Sequence, residues 1–348
     1  MVGFESKYQM AAAQFCKILP KIELHAHLNG SLSVSTIGKL VRLHKQSYPQ
    51  EQVPSVTQIL SDPKGFDDGY AIFKCAQALV DHPEAVKLAA SNVLLEFAED
   101  NVKYLELRST PRDCPGKMTK REYLLAIIEA IQNQSAVKAA LLVSIDRRKS
   151  VEEADENVEL ALSLKRDFPA VVVGIDLSGD ARVNQLEDYI DALQKAQAQG
   201  LKVSLHFAEV KNDKEIQYVL NHCSFKPDRV GHCTFIHQST AAAGMGESIW
   251  KKFCDWNIPS EICLTSNVKC RSVESYEKHH LSIWYHEKLP FAICTDDKGV
   301  FNCSSSEEYA HAMELLNLSK DEMLLLSKNS IEYIFADDNV KESLRSEF

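Results

Sequence analysis

The chain has 348 residues, 45% of them hydrophobic, and a formal charge of −10. That length buries one large core or two ordinary ones. The acidic balance excludes a general attraction to nucleic acid polymers or anionic membranes, so any phosphate must be held by a local pocket.

Taken in order, residues 1–20 carry the apolar patch AAAQF. Lys7, Gln14 and Lys17 leave neither a secretory apolar region nor a membrane span there. A soluble, cytosolic protein is expected. Short runs rich in apolar and β-branched residues then alternate with longer amphipathic stretches, the pattern of a parallel sheet covered by helices. The expected strands are KIELHAH (21–27), KYLELRS (103–109), ALLVSID (140–146), VVVGIDL (171–177), KVSLHFA (202–208), RVGHC (229–233), PSEICL (259–264) and FAICTD (291–296). Between them REYLLAIIEAIQNQ (121–134), VEEADENVELALSLKRDF (151–168), LEDYIDALQKAQAQ (186–199) and KEIQYVLNHC (214–223) space apolar residues as helices do. Eight βα units with no linker or repeat between them predict a single domain over 1–348, a closed TIM (β/α)8 barrel. An open doubly wound sheet is the alternative, but no Gly-rich phosphate loop follows an early strand. The stretch 31–101 is too long for one connection, so extra helices are expected after the first strand, as a lid over the mouth or as added packing.

A barrel carries its chemistry at the C-terminal ends of its strands, and polar residues collect there. His25 and His27 form an H-x-H pair whose period of two turns both imidazoles inward. The fifth strand ends in His206 with Glu209 three residues on, the sixth in His232, and the eighth in Asp296 and Asp297. Read singly, each histidine is a packed core or surface residue; at matching ends of independent strands they describe a metal centre. His25, His27, His206 and Asp296 form an N/O set suited to one zinc ion per chain with an open position for water. Glu209 and His232 are then left beside the metal, one as proton carrier and the other as a partner for the water. The ten cysteines, Cys223 among them, show no C-x-x-C pair. They are expected to be reduced and mostly buried, not ligands.

HAHLNGS, YLELRSTP, GIDLSGD, HFAE, RVGHC, LTSNV and CTDD follow one another along the chain, and this ordered set resembles the adenosine/AMP deaminase family. The resemblance runs from KIELHAHLNG to YIFADD. It implies zinc-dependent hydrolysis at carbon 6 of a purine, in which water activated by the metal attacks the ring. Glu209 would protonate ring nitrogen 1, His232 would orient and help to deprotonate the water, and Asp296 would bind zinc and the same water. Asp297 would meet ring nitrogen 7, Gly179 would offer its amide to ring nitrogen 3, and His27 would also face the substrate.

Within the family the likeness is to the adenosine deaminase-like members that convert N6-methyl-AMP to IMP and methylamine. Adenosine deaminases usually read H-x-H-x-D-G, whereas this chain has Asn29, which would not repel a 5′-phosphate as Asp would. Ser109, Thr110, Pro111 and Arg112 add two hydroxyls and a guanidinium, which suit phosphate; a surface turn is the alternative. Asp146 is expected either to approach the nucleotide or to cap its strand. Gln77 stands where a substrate-facing His is common in the lid helix. Cys233 follows His232 where Gly or Ala is usual, and is expected to reshape the pocket around the leaving amine. The resemblance thus implies a small purine nucleotide as partner and a monomer that binds neither nucleic acid nor membrane. A nucleoside-specific adenosine deaminase is the alternative. A two-metal amidohydrolase is disfavoured because no Lys lies between Asp176 and Asp180. A non-catalytic scaffold would have lost a ligand or acid, and none is missing.

Overall fold

The structure is a computed structural model that describes residues 10, 12–53, 63–221, 225–239 and 248–348. Eight parallel strands follow one another in sequence order: β1 (Lys21–His27), β2 (Val102–Ser109), β3 (Lys138–Asp146), β4 (Val172–Ser178), β5 (Lys202–Phe207), β6 (Arg229–His232), β7 (Ser260–Ile262) and β8 (Phe291–Ile293). The expected strands PSEICL and FAICTD are each trimmed to three residues, because Leu264 already begins a helix and Asp296 turns out of the ladder at φ +61°. Beyond that trim the sheet closes on itself. The Asp296 N–H donates to the His25 carbonyl (2.8 Å) and the His27 N–H donates to the Asp296 carbonyl (3.2 Å), a parallel bridge between the last strand and the first.

Pairing of β1 with β2 slips between Glu23 and Ala26. Ile22 pairs with Tyr104 before the slip and His27 with Arg108 after it, so one extra residue sits in β1 and its alternation inverts. Below the slip Ile22 and Leu24 join an apolar cluster with Tyr104, Leu142 and Cys294; above it His25 and His27 face the interior. The His25 N–H that the irregularity frees donates to the Glu23 carboxylate (2.9 Å), which also accepts from the Thr295 N–H (3.1 Å).

The long first connection, of which residues 54–62 lie outside the described residues, holds α1 (Val34–Ser47), α2 (Phe66–Gln77) and α3 (Pro83–Glu99). Helix α3 buries Ala89, Val93 and Phe97 and packs on α4 (Lys120–Gln132), so it is the crossover helix of the first βα unit. Helix α2 buries only Ile72 and Ala76 and lies across the barrel mouth. The outer layer continues with α5 (Val151–Asp167), α6 (Ile190–Ala198), α7 (Asp213–Asn221) and α8 (Ile249–Trp256). Thr119 and Glu122 form a capping box at the start of α4, and Ser150 caps α5. His222 and Cys223, at the end of the expected helix KEIQYVLNHC, lie outside the described residues. Short helices α9 (Leu264–Lys269), α10 (Leu281–His286) and α11 (Lys298–Phe301) complete the rim after β7 and β8. Among the described residues no helix is long and apolar enough to cross a membrane.

Candidate active site

β1, β5 and the seam beyond β8 bring the expected ligands together. His27 Nε2 lies 3.3 Å from His206 Nε2, and Asp296 Oδ1 lies 3.5 Å from both His25 Nε2 and His27 Nε2. His25 Nε2 is buried with no hydrogen-bond partner among the described residues. Imidazole nitrogens and a carboxylate converging in this way are a donor set that a divalent cation satisfies. The rings are oriented from behind: the His25 Nδ1–H donates to Glu261 Oε2 (2.7 Å), and His206 Nδ1 lies 3.1 Å from Asp176 Oδ1, off the ideal hydrogen-bond line. Both leave Nε2 facing the centre.

Electrostatics agree with that use. Burial holds the His27 imidazole at about 3, hence neutral. Burial and Arg108 also oppose charge on His25, but the Asp296 and Glu261 carboxylates beside it raise it to about 9. Burial opposes ionisation of Asp296, yet the surrounding histidines hold it well below the usual carboxylate range.

The carboxylates behind the rings are themselves pinned. Glu261 accepts from Arg108 Nη2 (2.8 Å), Arg229 Nε (2.7 Å) and Ser204 Oγ (2.8 Å), while Asp176 accepts from Arg108 Nη1 (2.9 Å) and Ser144 Oγ (2.8 Å). Arg229 also donates to Glu106 and stacks 3.5 Å from the Phe335 ring centre. These charges are buried and every one is paired, the only state in which they are tolerable.

Glu209 follows β5 through Ala208, which turns the chain at φ +50°. Its Oε1 stands 3.7 Å from His232 Nε2, which is 3.9 Å from Asp296 Oδ2. Burial, then the Asp296 charge, push the Glu209 carboxyl up to about 8, so it carries a proton at neutral pH. Burial pulls His232 well below the usual imidazole value. Burial and Asp296 push Asp297 well above the usual range, which makes its carboxyl a donor. Asp297 Oδ1 has no hydrogen-bond partner among the described residues and lies over Gly30, where a Cβ would come within 1.6 Å of it. Gly179 takes φ +94°, and a Cβ there would be 2.3 Å from Asp146 Oδ1, so glycine alone lets this turn reach the pocket.

The pocket measures about 700 Å³, counting its open mouth. His27, His206, Glu209, His232, Asp296 and Asp297 line its floor; Phe66, Tyr70, Phe73 and Gln77 of α2 line the opposite wall. Thr110, Asp146 and Gly179 also line it, whereas Asn29, Ser109, Pro111 and Arg112 stand behind this lining. Asn29 Nδ2 donates to the Tyr123 hydroxyl (3.0 Å), which is 2.6 Å from Ser109 Oγ. Arg112 Nη2 donates to the carbonyls of Gln77 and Val80, and its Nε is buried without a partner among the described residues. Asp146 Oδ2 accepts from Arg148 Nη2 (2.6 Å). Cys233, expected to reshape the pocket, is not among its lining residues. Its backbone takes φ +56° and its thiol packs 4.0 Å from Ser260 Oγ, away from the lining.

Sequence reasoning missed Arg148, Ser178, Ser266, Cys270 and Phe301, which also line the pocket. Arg148 sits in a basic run that reads as surface. The α2 aromatics were discoverable, since Phe66, Tyr70 and Phe73 repeat at helical spacing.

Residues 20–348 match the adenosine deaminase family. The N6-methyl-AMP deaminase of Danio rerio is 41% identical over 336 residues, covering 95% of this chain and 94% of that protein. The crystal structure of Arabidopsis N6-mAMP deaminase MAPDA superposes with a TM-score of 0.86 at 38% identity, covering 96% of this chain and 98% of that one. Arabidopsis ADAL complexed with IMP gives a TM-score of 0.86 at 38% identity, over 96% and 97%. Likeness of this degree over nearly the whole length, on a barrel with such a mouth, places the chain in the adenosine deaminase family as a hydrolytic deaminase.

Proposed function

We propose that this enzyme converts N6-methyl-AMP to IMP and methylamine with one zinc ion per chain, as a cytosolic monomer. It is a single domain over 1–348, with α2, inside the stretch 31–101, as the lid. The observation that carries the chemistry is the buried Glu209 carboxyl beside His232 and Asp296, where burial and the Asp296 charge favour its protonated form. The substrate class is supported by relatives named for N6-methyl-AMP and by a neutral Asn29 where a carboxylate would repel phosphate.

Zinc held by His25, His27, His206 and Asp296 would supply Lewis acidity that lowers the pKa of a water at the open position. Glu209 donates its proton to ring nitrogen 1, which breaks the aromaticity and opens carbon 6 to attack. Asp297, neutral, donates to ring nitrogen 7, and the Gly179 N–H donates to ring nitrogen 3. His27 and Gln77 pack beside the base, and Asp146 stands by the sugar. Thr110 lines the phosphate end, and Asn29, Ser109, Pro111 and Arg112 back it, with the Arg112 guanidinium supplying positive charge. The oxygen ends as the 6-oxo group. One of its protons leaves on methylamine, and the other returns to Glu209 in place of the one left on the ring.

The test is a comparison of kcat/KM for N6-methyl-AMP, N6-methyladenosine, AMP and adenosine, with metal analysis of the purified protein. N6-methyl-AMP should be the best substrate and zinc should be near one per chain. Equal efficiency on the methylated nucleotide and nucleoside would overturn the nucleotide assignment, and two tight metals per chain would overturn the mononuclear one.

A further inference from the structure

The geometry points to a one-way hydrogen-bond relay, from Leu281 through His279 and Asn267 to His232, that fixes the His232 proton on Nε2. His232 is then a hydrogen-bond donor to the reacting oxygen and not a base. The inference rests on the deaminase reading of the site, and it makes His279 and Asn267 positioning residues.

The relay starts at a group with no choice. The Leu281 backbone N–H can only donate, and it lies 3.1 Å from His279 Nδ1, which must therefore accept. A neutral imidazole that accepts at one nitrogen carries its proton on the other. His279 Nε2 is 3.1 Å from Asn267 Oδ1, so it donates there. The Asn267 amide nitrogen then donates to His232 Nδ1 at 3.3 Å. Turning the amide over fails, because its NH₂ would face His279 Nε2 and demand an acceptor at both nitrogens of one neutral ring. Only Nε2 is left to carry the His232 proton. It points between Glu209 Oε1 at 3.7 Å and Asp296 Oδ2 at 3.9 Å.

All three side chains are buried, which shields the relay from competing water, and each imidazole accepts at Nδ1, so neither carries a second proton. The Asn267 carbonyl is also tied down, accepting from the N–H groups of Ser272 (3.0 Å) and Val273 (3.1 Å). His280 serves the same residue from the other side. Its Nε2–H donates to the His232 carbonyl (2.8 Å) and holds a backbone at φ +60°. Two consecutive histidines before α10 thus fix the ring and the main chain of His232 separately. With Nε2 already protonated, His232 cannot take the proton that the attacking water gives up. Asp296 is the acceptor within reach, and from it the proton passes to the departing amine.

Long-range ¹H–¹⁵N spectra of the zinc-loaded protein read the tautomer directly, with His232 assigned by its absence in His232→Gln. A protonated-type shift at Nε2 and an unprotonated-type shift at Nδ1 are expected; the reverse overturns the relay. That spectrum needs no substrate, so an error in the substrate assignment leaves it unmoved. Asn267→Asp replaces a donor by an acceptor of the same shape and calls for the proton on Nδ1, whereas Asn267→Ala only removes the contact. On the best purine substrate, kcat should fall on the order of a hundredfold or more in Asn267→Asp, as wrong-tautomer variants do. The loss should exceed that of Asn267→Ala, with KM within severalfold and metal retained. An equal or smaller loss in Asn267→Asp overturns the proposal. If that variant does not fold, the wild-type spectrum decides alone.

Discussion

The two walls of the pocket are built on different principles. On the barrel side the side chains sit on strands and are held from behind: His25 by Glu261, His206 against Asp176, Asp296 by Ser266 Oγ at 2.7 Å. On the α2 side the wall is aromatic and is fastened near solvent. Arg182 reaches Asp67 at 2.7 Å with the two side chains 44% and 85% exposed, and Arg148 lies 5.2 Å from the Tyr70 ring centre. Exposed ion pairs contribute about 0–1 kcal/mol, whereas breaking a buried pair costs about 3–5 kcal/mol. The difference teaches that the groups that do chemistry are held still while the wall that covers the substrate is lightly tethered.

The sharpest way to test the rigid wall is Glu209→Gln, which keeps shape and removes the proton. Turnover should drop roughly a hundred- to ten-thousandfold with zinc content unchanged by metal analysis. Because the protonated carboxyl is the active form and it titrates at about 8, wild-type kcat should also decline as pH rises through that value; a flat profile to pH 10 would remove Glu209 from the rate-limiting step. Next comes the frame behind the ligands. Arg108→Met leaves Glu261 and Asp176 without their shared cation, so urea unfolding should show a loss of about 3–5 kcal/mol, and a loss below 1 kcal/mol would mean that water replaces the guanidinium.

Smaller effects belong to the other wall. Arg112→Ala should lower kcat/KM for the monophosphate roughly ten- to a hundredfold, the consequence of losing about 1.5–3 kcal/mol of charge-assisted contact, and should barely change nucleoside turnover. A parallel loss on both substrates would show that Arg112 acts only by holding Gln77 and Val80. Smallest of all, Arg182→Ala should shift unfolding by less than about 1 kcal/mol while changing KM more than kcat; an effect as large as that of Arg108→Met would erase the contrast between the walls.

Much of the barrel side was legible because it is local. The run KIELHAH is a strand over its full length, and H-x-H announces two inward imidazoles through alternation alone. The slip in β1 was not legible, since nothing in GluLeuHisAlaHis marks where the extra residue falls. Nor was the frame: Arg108 meets Glu261 across 153 positions, and a charged residue inside a strand reads as solvent-facing until its partner is known. The same holds for His279 and Asn267, whose pairing depends on the turn that follows α9. Position behind a pocket is harder still to read. Ser109 and Arg112 carry phosphate-binding chemistry in the sequence, but their hydrogen bonds to Tyr123, Gln77 and Val80 arise only from packing.

The bridge between Ala26 and Asp296 carries a consequence for the lifetime of the fold. The first and last strands are joined at the segment that also presents His25, His27 and Asp296, so a cation held there would be a staple across the seam of a closed ring. Unzipping would have to begin by expelling it. A metal-loaded chain should therefore unfold slowly and all at once, and a chelator should shorten its survival at a given temperature far more than it disturbs the outer helices, since it removes a strong tie that spans nearly the entire loop of chain.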